Sequence, residues 1–133
     1  MSKHTDIIER ANHTLLVERD LDAVEEFFTP AYAAHGTGTD ITGLPAVRGF
    51  LKMLLAAFAD LEVTVEALVE SKDRIAWHRR CSGKQTGSFQ GFPASGRQIV
   101  WRDMIVSRLE NGQIAEEWVV TDLAEQLLRS RKG

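Results

Sequence analysis

The sequence has little cysteine, no long apolar run and no large excess of either charge. Its single cysteine, Cys81, excludes an internal disulfide and is typical of a reducing compartment. No apolar run approaches the roughly 20 residues that a membrane-spanning helix needs. The 16 basic and 19 acidic side chains are scattered and leave a net charge of -3, which gives no electrostatic reason to expect nucleic-acid binding. We therefore expect neither a membrane nor a nucleic acid as a partner.

Motifs for metals, phosphates and activated nucleophiles are also missing. The histidines fall on separate predicted elements, and their spacing matches no zinc site. Gly87, Gly91 and Gly96 precede neither a Gly-Lys-Ser/Thr string nor a predicted helix, which a phosphate loop requires. Residues 1–6 lack the apolar core of a signal peptide, so we expect a cytoplasmic protein. We expect any chemistry to proceed without a metal or a cofactor.

The composition is that of a folded protein. At 133 residues the chain is long enough to bury a substantial core. Hydrophobic residues make up 44% and charged residues 26% of the chain, as is usual for soluble globular proteins. The sequence contains no internal repeat, low-complexity segment or linker. We therefore expect a single domain over residues 1–133.

The N-terminal half has helical periodicity. A helix is predicted over residues 5–18 with Thr5 as its cap, and Asp20 caps a second, short helix. A third helix follows Pro45, where apolar side chains recur at steps of three and four. Its apolar stripe consists of Val47, Phe50, Leu51, Leu54, Leu55 and Phe58.

From Leu61 the period of the apolar residues changes to two, which predicts strands. The pair Asn111-Gly112 is a strong hairpin signal, whereas residues 32–40 are predicted to be irregular, with a short strand near Tyr32 to His35. The predicted strands cover residues 61–69, 74–82, 99–109 and 113–121, and a last helix covers 123–129. Helices followed by antiparallel strands predict an α+β fold with the helices on one face of a curved sheet.

Asp122 is the first candidate for chemistry. It follows the last predicted strand in phase with Trp118, so both side chains are expected on one side of the sheet. Burial beside an indole would raise the pKa of this carboxyl group and suit it to acid/base chemistry near neutral pH. Alternatively, Asp122 caps the helix that begins at Leu123. The residue pattern leaves both interpretations open.

The strand over residues 99–109 is apolar on both faces. Asp103 shares a face with Trp101 and is either a second candidate acid or a paired structural carboxylate. Tyr32 and His35 lie where a loop can close over the open end of a sheet, so they are either pocket-wall groups or surface residues. Because a strand that is apolar on both faces must be covered on both, we expect a homodimer joined sheet to sheet.

Three short segments of the sequence occur in a characteristic order. They are FADLEV at residues 58–63, TGSFQGFPASGR at 86–97 and NGQIAEEW at 111–118, with Asp122 in step. Together they resemble the SnoaL-like polyketide cyclase family, within the larger fold family of nuclear transport factor two and ketosteroid isomerase. The likeness covers nearly the whole chain. Gln85 and Glu117 depart from it, since many members have histidine at both positions.

This resemblance implies a cone-shaped α+β domain. Three N-terminal helices would pack on a strongly curved antiparallel sheet that encloses a pocket and usually dimerises. It also implies a cofactor-independent acid/base enzyme acting on a small hydrophobic carbonyl or polyketide-like compound, by aldol or enolisation chemistry. Asp122 would be the base and then the acid, with Asp103 and His35 as further catalytic candidates. Expected substrate contacts are Tyr32, Phe50, Leu54, Trp101 and Trp118.

Two other functions remain open at this point. The same fold serves non-catalytic small-molecule-binding and scaffolding domains. An epoxide hydrolase-like enzyme is a further alternative, and it normally places an Asp-Arg-Asp arrangement in the pocket. Arg102, Asp103 and Asp122 could supply that arrangement only if Arg102 faced inward, against its predicted strand parity.

Overall fold

Six strands form a curled, unclosed sheet, and four α-helices complete the α+β fold in the residues that the computed structural model describes, 2–36 and 40–131. The helices are α1 (Lys3–Asn12), α2 (Val24–Phe27), α3 (Leu44–Ala57) and α4 (Leu123–Ser130). The strands are β1 (Phe28–His35), β2 (Asp40–Thr42), β3 (Phe58–Glu70), β4 (Arg74–Gln85), β5 (Gln98–Glu110) and β6 (Gln113–Thr121). They lie in the order β2-β1-β6-β5-β4-β3.

The first helix differs from its prediction at both ends. Ser2, rather than Thr5, is the cap, and its hydroxyl accepts the Thr5 N–H at 3.0 Å. The helix changes to a π-helical turn over His13–Val17. A π turn inserts one extra residue, which shifts the buried face and is often found beside functional sites.

The segment after the short second helix contains the short strand expected near Tyr32 to His35, but the strand is longer and begins before Tyr32. β1 begins at Phe28, pairs in parallel with β6 and in antiparallel with β2, and so makes the sheet mixed instead of purely antiparallel. Its pairing with β6 is interrupted between Phe28 and Ala33. Pro30 lies within this interruption, where the ladder does not require the N–H that proline lacks. Of the predicted irregular segment, residues 37–39 lie outside the described residues.

A β-bulge decides which side chains of β6 face inward. The β5–β6 register shifts where Arg108 pairs with Glu116 but Leu109 pairs with Ile114. The shift leaves Ile114 and Ala115 both buried, and the alternation of faces changes phase because two residues of one strand oppose one of the other. After the bulge, Glu117 is buried against the core while Trp118 lies on the outer face.

The core fills the space between the helices and the concave face of the sheet. Its largest fully buried side chains include Phe58 and Ile8, each worth about 1.5–3 kcal/mol on burial. Met104 and Val120, in contrast, are exposed on the convex face of β5 and β6. None of the helices in the described chain combines the length and the apolar content that a bilayer crossing requires.

Candidate active site

Glu117 is the centre of a buried hydrogen-bond network on the concave face. The Tyr32 hydroxyl donates to its Oε1 at 2.6 Å, and the Ser107 hydroxyl donates to its Oε2. Ser107 Oγ in turn accepts the indole N–H of Trp77 at 2.9 Å. Each carboxylate oxygen is therefore held by one hydroxyl donor, which fixes the plane of the group and leaves further lone pairs free to meet a ligand.

A second network surrounds Arg79 on the same face. Its Nε donates to Asp103 Oδ2 at 2.8 Å, and its Nη1 donates to Asn12 Oδ1 at 2.9 Å. Asn12 also donates to the Ile8 carbonyl at 2.9 Å, so its amide is fixed on the helix next to the π turn. The guanidinium carbon lies 5.3 Å from the centre of the Trp77 ring, at the distance of a cation–π contact.

Burial dominates the electrostatics of the first network. Loss of solvent raises the pKa of Glu117, although the hydrogen bonds from Ser107 and Tyr32 and the charge of Arg79 act in the opposite direction. Burial, and then the nearby Glu117, raise the pKa of Tyr32, which therefore stays a phenol and a hydrogen-bond donor. A carboxyl group with a raised pKa can hold and release a proton closer to neutral pH than an exposed glutamate.

A cavity of about 60 Å³ connects the two networks. Asn12, Trp77, Arg79 and Glu117 supply its polar groups. Its apolar lining consists of Ala11, Leu15, Leu16, Phe28, Leu51 and Ile114. A wider groove of about 210 Å³ lies between α1, the π turn and β3, and Asn12 lines both spaces. Ligand pockets usually measure at least roughly 300 Å³, so a larger ligand must extend toward the groove or displace side chains.

Two of the candidates from the sequence belong to this site. Tyr32 contacts Glu117 directly, and Asp103 is buried as the partner of Arg79. Asp103 is therefore a paired carboxylate, as one of its two interpretations held, and its partner Arg79 lines the cavity.

Asp122 lies elsewhere. Its Oδ1 accepts the Arg102 N–H at 2.7 Å, and its Oδ2 accepts from the Gln126 side chain at 3.1 Å. It occupies the position that precedes α4, but Thr121 Oγ1, not Asp122, accepts the Leu123 N–H. The carboxylate of Asp122 therefore neither caps the helix nor lines the cavity, because it folds back onto the β5 backbone.

His35 and Trp118 lie together on the convex face. Their ring centres are 5.6 Å apart, and His35 Nε2 is 2.7 Å from Glu116 Oε2. This hydrogen bond raises the pKa of His35 and lowers that of Glu116. Trp118, which was expected to face the pocket, is turned outward by the bulge in β6. His35 pairs opposite Trp118 and shares its face, so it is a surface residue, one of the two interpretations left open by the sequence.

The other expected contact residues belong to the core or to the surface. Trp101 is buried against Phe58, with ring centres 4.7 Å apart, and Leu54 lies in the same cluster. Phe50 is partly exposed and meets Phe89 edge-on. On α3 the residue that reaches the cavity is Leu51, one position along the helix from Phe50.

Sequence reasoning missed the two charged groups that line the cavity. Arg79 is in phase with Ile75, Trp77 and Cys81 on β4, and a charge within a buried face was the signal that could have identified it. Glu117 was noticed only as a departure from the family pattern. The other departure, Gln85, serves the structure, since its amide oxygen accepts from Ser95 and its amide nitrogen donates to the Phe92 carbonyl.

Comparison with known proteins gives the family. The model of the SnoaL-like polyketide cyclases matches residues 6–129. The chain belongs to the SnoaL-like polyketide cyclase family. A comparison with curated proteins finds no match.

Solved structures show the same fold. A presumed SnoaL-like polyketide cyclase from Jannaschia sp. CCS1 is 28% identical, with a TM-score of 0.81 over 92% of this chain and 88% of that one. A presumed polyketide cyclase from Acidithiobacillus ferrooxidans is 20% identical, with a TM-score of 0.85 over 98% and 96%. IdmH from Streptomyces antibioticus, also a presumed polyketide cyclase, is 23% identical, with a TM-score of 0.80 over 97% and 98%.

Within this family the cavity of the present chain is lined by one carboxylate, Glu117, and one arginine, Arg79, together with Asn12 and Trp77. Across residues 2–36 and 40–131, no cluster of three or more His, Cys, Asp or Glu side chains could hold a metal ion.

The raised pKa of Glu117 predicts how stability depends on pH. The folded protein holds this proton more tightly than the unfolded chain, so stability is lost as the pH rises from about 4.3 through the folded pKa. Glu117→Gln cannot ionise. The melting temperature of the variant minus that of the wild type should therefore increase between about pH 5 and about pH 8, as measured by differential scanning fluorimetry.

Glu116→Gln is the matched control. Its carboxylate has a lowered pKa because of His35 and Arg108, so the wild type gains stability from it only as the pH rises from the folded pKa to about 4.3. The melting temperature of Glu116→Gln minus that of the wild type should therefore decrease over this more acidic range, below about pH 5, where Glu117 remains protonated in the folded wild type. A pH-independent difference for Glu117→Gln would show that burial does not shift the Glu117 proton.

Proposed function

We propose that the protein catalyses proton transfer at a carbon atom next to a carbonyl group in a small, largely apolar compound, without a cofactor. Glu117 is the general base and then the general acid. The observation that carries this proposal is a buried carboxyl group with a raised pKa that lines a cavity beside a guanidinium. Membership of the SnoaL-like polyketide cyclase family supports chemistry of this class.

In an aldol-type ring closure, ionised Glu117 removes the α-proton, and the electron pair of the C–H bond forms the enolate. The enolate carbon then bonds to a second carbonyl carbon, whose oxygen takes the proton back from Glu117. Protons and electrons balance within the substrate and the glutamate. Tyr32 and Ser107 hold the carboxyl group in one orientation, and the apolar lining excludes water from the reacting atoms.

Deuterium exchange tests the assignment of the base. We expect the wild type to accelerate loss of the α-proton NMR signal of β-keto esters in D₂O, with a rate that rises with pH as Glu117 ionises. Glu117→Gln should lower this acceleration by roughly a hundredfold or more, the usual contribution of a general base. Asp122→Asn should leave it unchanged, because that carboxylate binds backbone outside the cavity.

Asp122 is the alternative base suggested by the sequence. Loss of exchange in Asp122→Asn with full exchange in Glu117→Gln would assign the chemistry to Asp122 and reject Glu117. If the wild type binds such compounds without exchanging their protons, the protein is a binding domain. Circular dichroism of both variants separates these outcomes from misfolding.

Epoxide hydrolysis is a second candidate, and one arrangement favours it. Arg102 is exposed on the outer face, but Arg79 supplies an inward arginine that pairs with Asp103 and lines the cavity with Glu117. This acid–arginine–acid set could activate water with one carboxylate and protonate the epoxide oxygen with the other.

Hydrolysis of styrene oxide in ¹⁸O-labelled water tests this candidate. The expected diol carries one labelled oxygen, and both Asp103→Asn and Glu117→Gln should abolish its enzymatic formation. Diol formation without exchange of β-keto ester protons would replace the first proposal with the second. Failure of the wild type to form diol beyond the uncatalysed rate would reject hydrolysis.

We also propose a homodimer joined through the convex face. Met104 and Val120 are 48% and 65% exposed there, beside Trp118. Exposed apolar side chains that are neighbours on one face are typical of interaction surfaces. Because the helices occupy the concave side, a second copy of the sheet is the occupant that this proposal commits to.

Light scattering at micromolar concentration tests the dimer. We expect twice the mass of the chain for the wild type and a single mass for Met104→Glu, since burying an unpaired carboxylate is costly. Leu128→Glu, also at a 48% exposed apolar position, is the matched control on α4 and should remain dimeric. A monomeric wild type would contradict the proposal.

A further inference from the structure

We propose that Arg79 forms a binding site for a planar anion with two oxygens, either a carboxylate or the enolate of a 1,3-dicarbonyl compound. This inference deepens the proposed function, on which the catalytic use of the anion rests. It would make Arg79 the group that stabilises the charge formed when Glu117 removes a proton. Binding itself does not depend on turnover and can be measured separately.

The protein supplies acceptors for only some of the N–H groups of Arg79. A guanidinium has five N–H groups, and Asp103 and Asn12 accept two of them. The remaining three, including both on Nη2, have no acceptor in the part of the chain that the structure describes. Asp103 and Asn12 together fix the guanidinium plane, so its unused edge has a defined direction at the cavity.

The geometry of that edge selects the ligand. Two parallel N–H groups of arginine match the two oxygens of a carboxylate, and such paired, charge-assisted hydrogen bonds are stronger than neutral ones. The enolate of a 1,3-dicarbonyl compound presents two oxygens in one plane in the same way. Its acidic carbon lies between the two carbonyl groups, so an oxygen held by Arg79 keeps that carbon next to the cavity wall that Glu117 forms.

Charge balance sets the condition for binding. The charged and titratable groups around Arg79 are Asp103 from β5, Glu117 from β6, Tyr32 from β1 and Cys81 from β4. Asp103 neutralises Arg79, and burial raises the pKa of both Tyr32 and Cys81, so these two stay uncharged. Only protonated Glu117 leaves the site free of a second carboxylate charge, and an incoming anion should therefore bind together with a proton.

The volume of the cavity is compatible with a small anionic group. The cavity of about 60 Å³ admits a fragment such as acetate, whereas the rest of a longer substrate would extend along the groove of about 210 Å³ beyond Asn12. That groove is lined by Val17, Val63 and Val65 together with Glu9, Asn12 and His13, and because most of its surface is polar, it suits a ligand body that carries polar substituents.

Acetate, with acetamide as its uncharged analogue, is the probe. In an NMR titration at constant ionic strength, acetate should give saturable shifts of the Trp77 indole N–H and the Arg79 Nε–H, and acetamide should not. Above about pH 6, where acetate is ionised, its affinity should fall as Glu117 ionises and should be independent of pH in Glu117→Gln. Saturation by acetamide as well, or pH-independent binding to the wild type, would overturn the proposal.

Variants locate the site. The double variant Arg79→Gln/Asp103→Asn removes both partners of the ion pair, so that neither charge is left alone. It should weaken acetate binding by roughly tenfold or more, which is the contribution of one charge-assisted hydrogen bond. Arg80→Gln makes the same change at the next, exposed residue of β4 and should bind as the wild type does. Equal binding by both variants would reject Arg79. If Glu117→Gln keeps full proton exchange while acetate binding behaves as expected, only the proposed base is wrong and the anion site stands.

Discussion

The ion pair between Arg79 and Asp103 is the interaction on which the rest of the site depends. Removing a charged group from water costs several kcal/mol, and Asp103, whose side chain is buried, needs a partner of opposite charge; Arg79 is only partly buried. Asp103 provides the countercharge from the neighbouring strand, and Asn12 provides a neutral acceptor from α1. These contacts tie the N-terminal helix to the sheet and keep the interior polar at one defined place.

A buried glutamate is tolerated nearby because its own groups are satisfied. Tyr32 and Ser107 each donate to one oxygen of Glu117, and Trp77 completes the set by donating to Ser107. A fully connected polar network is less costly than a partly satisfied one. The remaining free-energy cost of burying the ionised carboxylate raises the pKa of Glu117. A raised carboxyl pKa is a property that acid/base chemistry uses. In the proposed function, the same residue therefore links a cost in stability to acid/base chemistry.

The sheet separates two kinds of surface through strand parity. The concave face carries Arg79, Asp103 and Glu117 within an apolar lining, whereas the convex face carries exposed apolar residues and the His35–Glu116 pair. Adjacent residues on β6, Glu116 and Glu117, consequently have pKa values shifted in opposite directions. The first is solvated and paired with cations, and the second is buried among hydroxyl donors.

The sequence by itself determined the fold class and most of the elements, because apolar periodicity and turn residues act locally along the chain. The family followed from three strings that resemble its members, at residues 58–63, 86–97 and 111–118. The third helix, the long strands and the Asn111-Gly112 hairpin follow from these signals. The tertiary structure alone decided which acid lines the cavity. A register shift near Ile114 reversed the faces of β6 and turned Trp118 outward and Glu117 inward, and the parallel pairing of β1 placed Tyr32 beside Glu117. Strand pairing and register depend on contacts between segments that are distant in the sequence. The residue pattern along one strand therefore could not predict which charged side chains line the cavity.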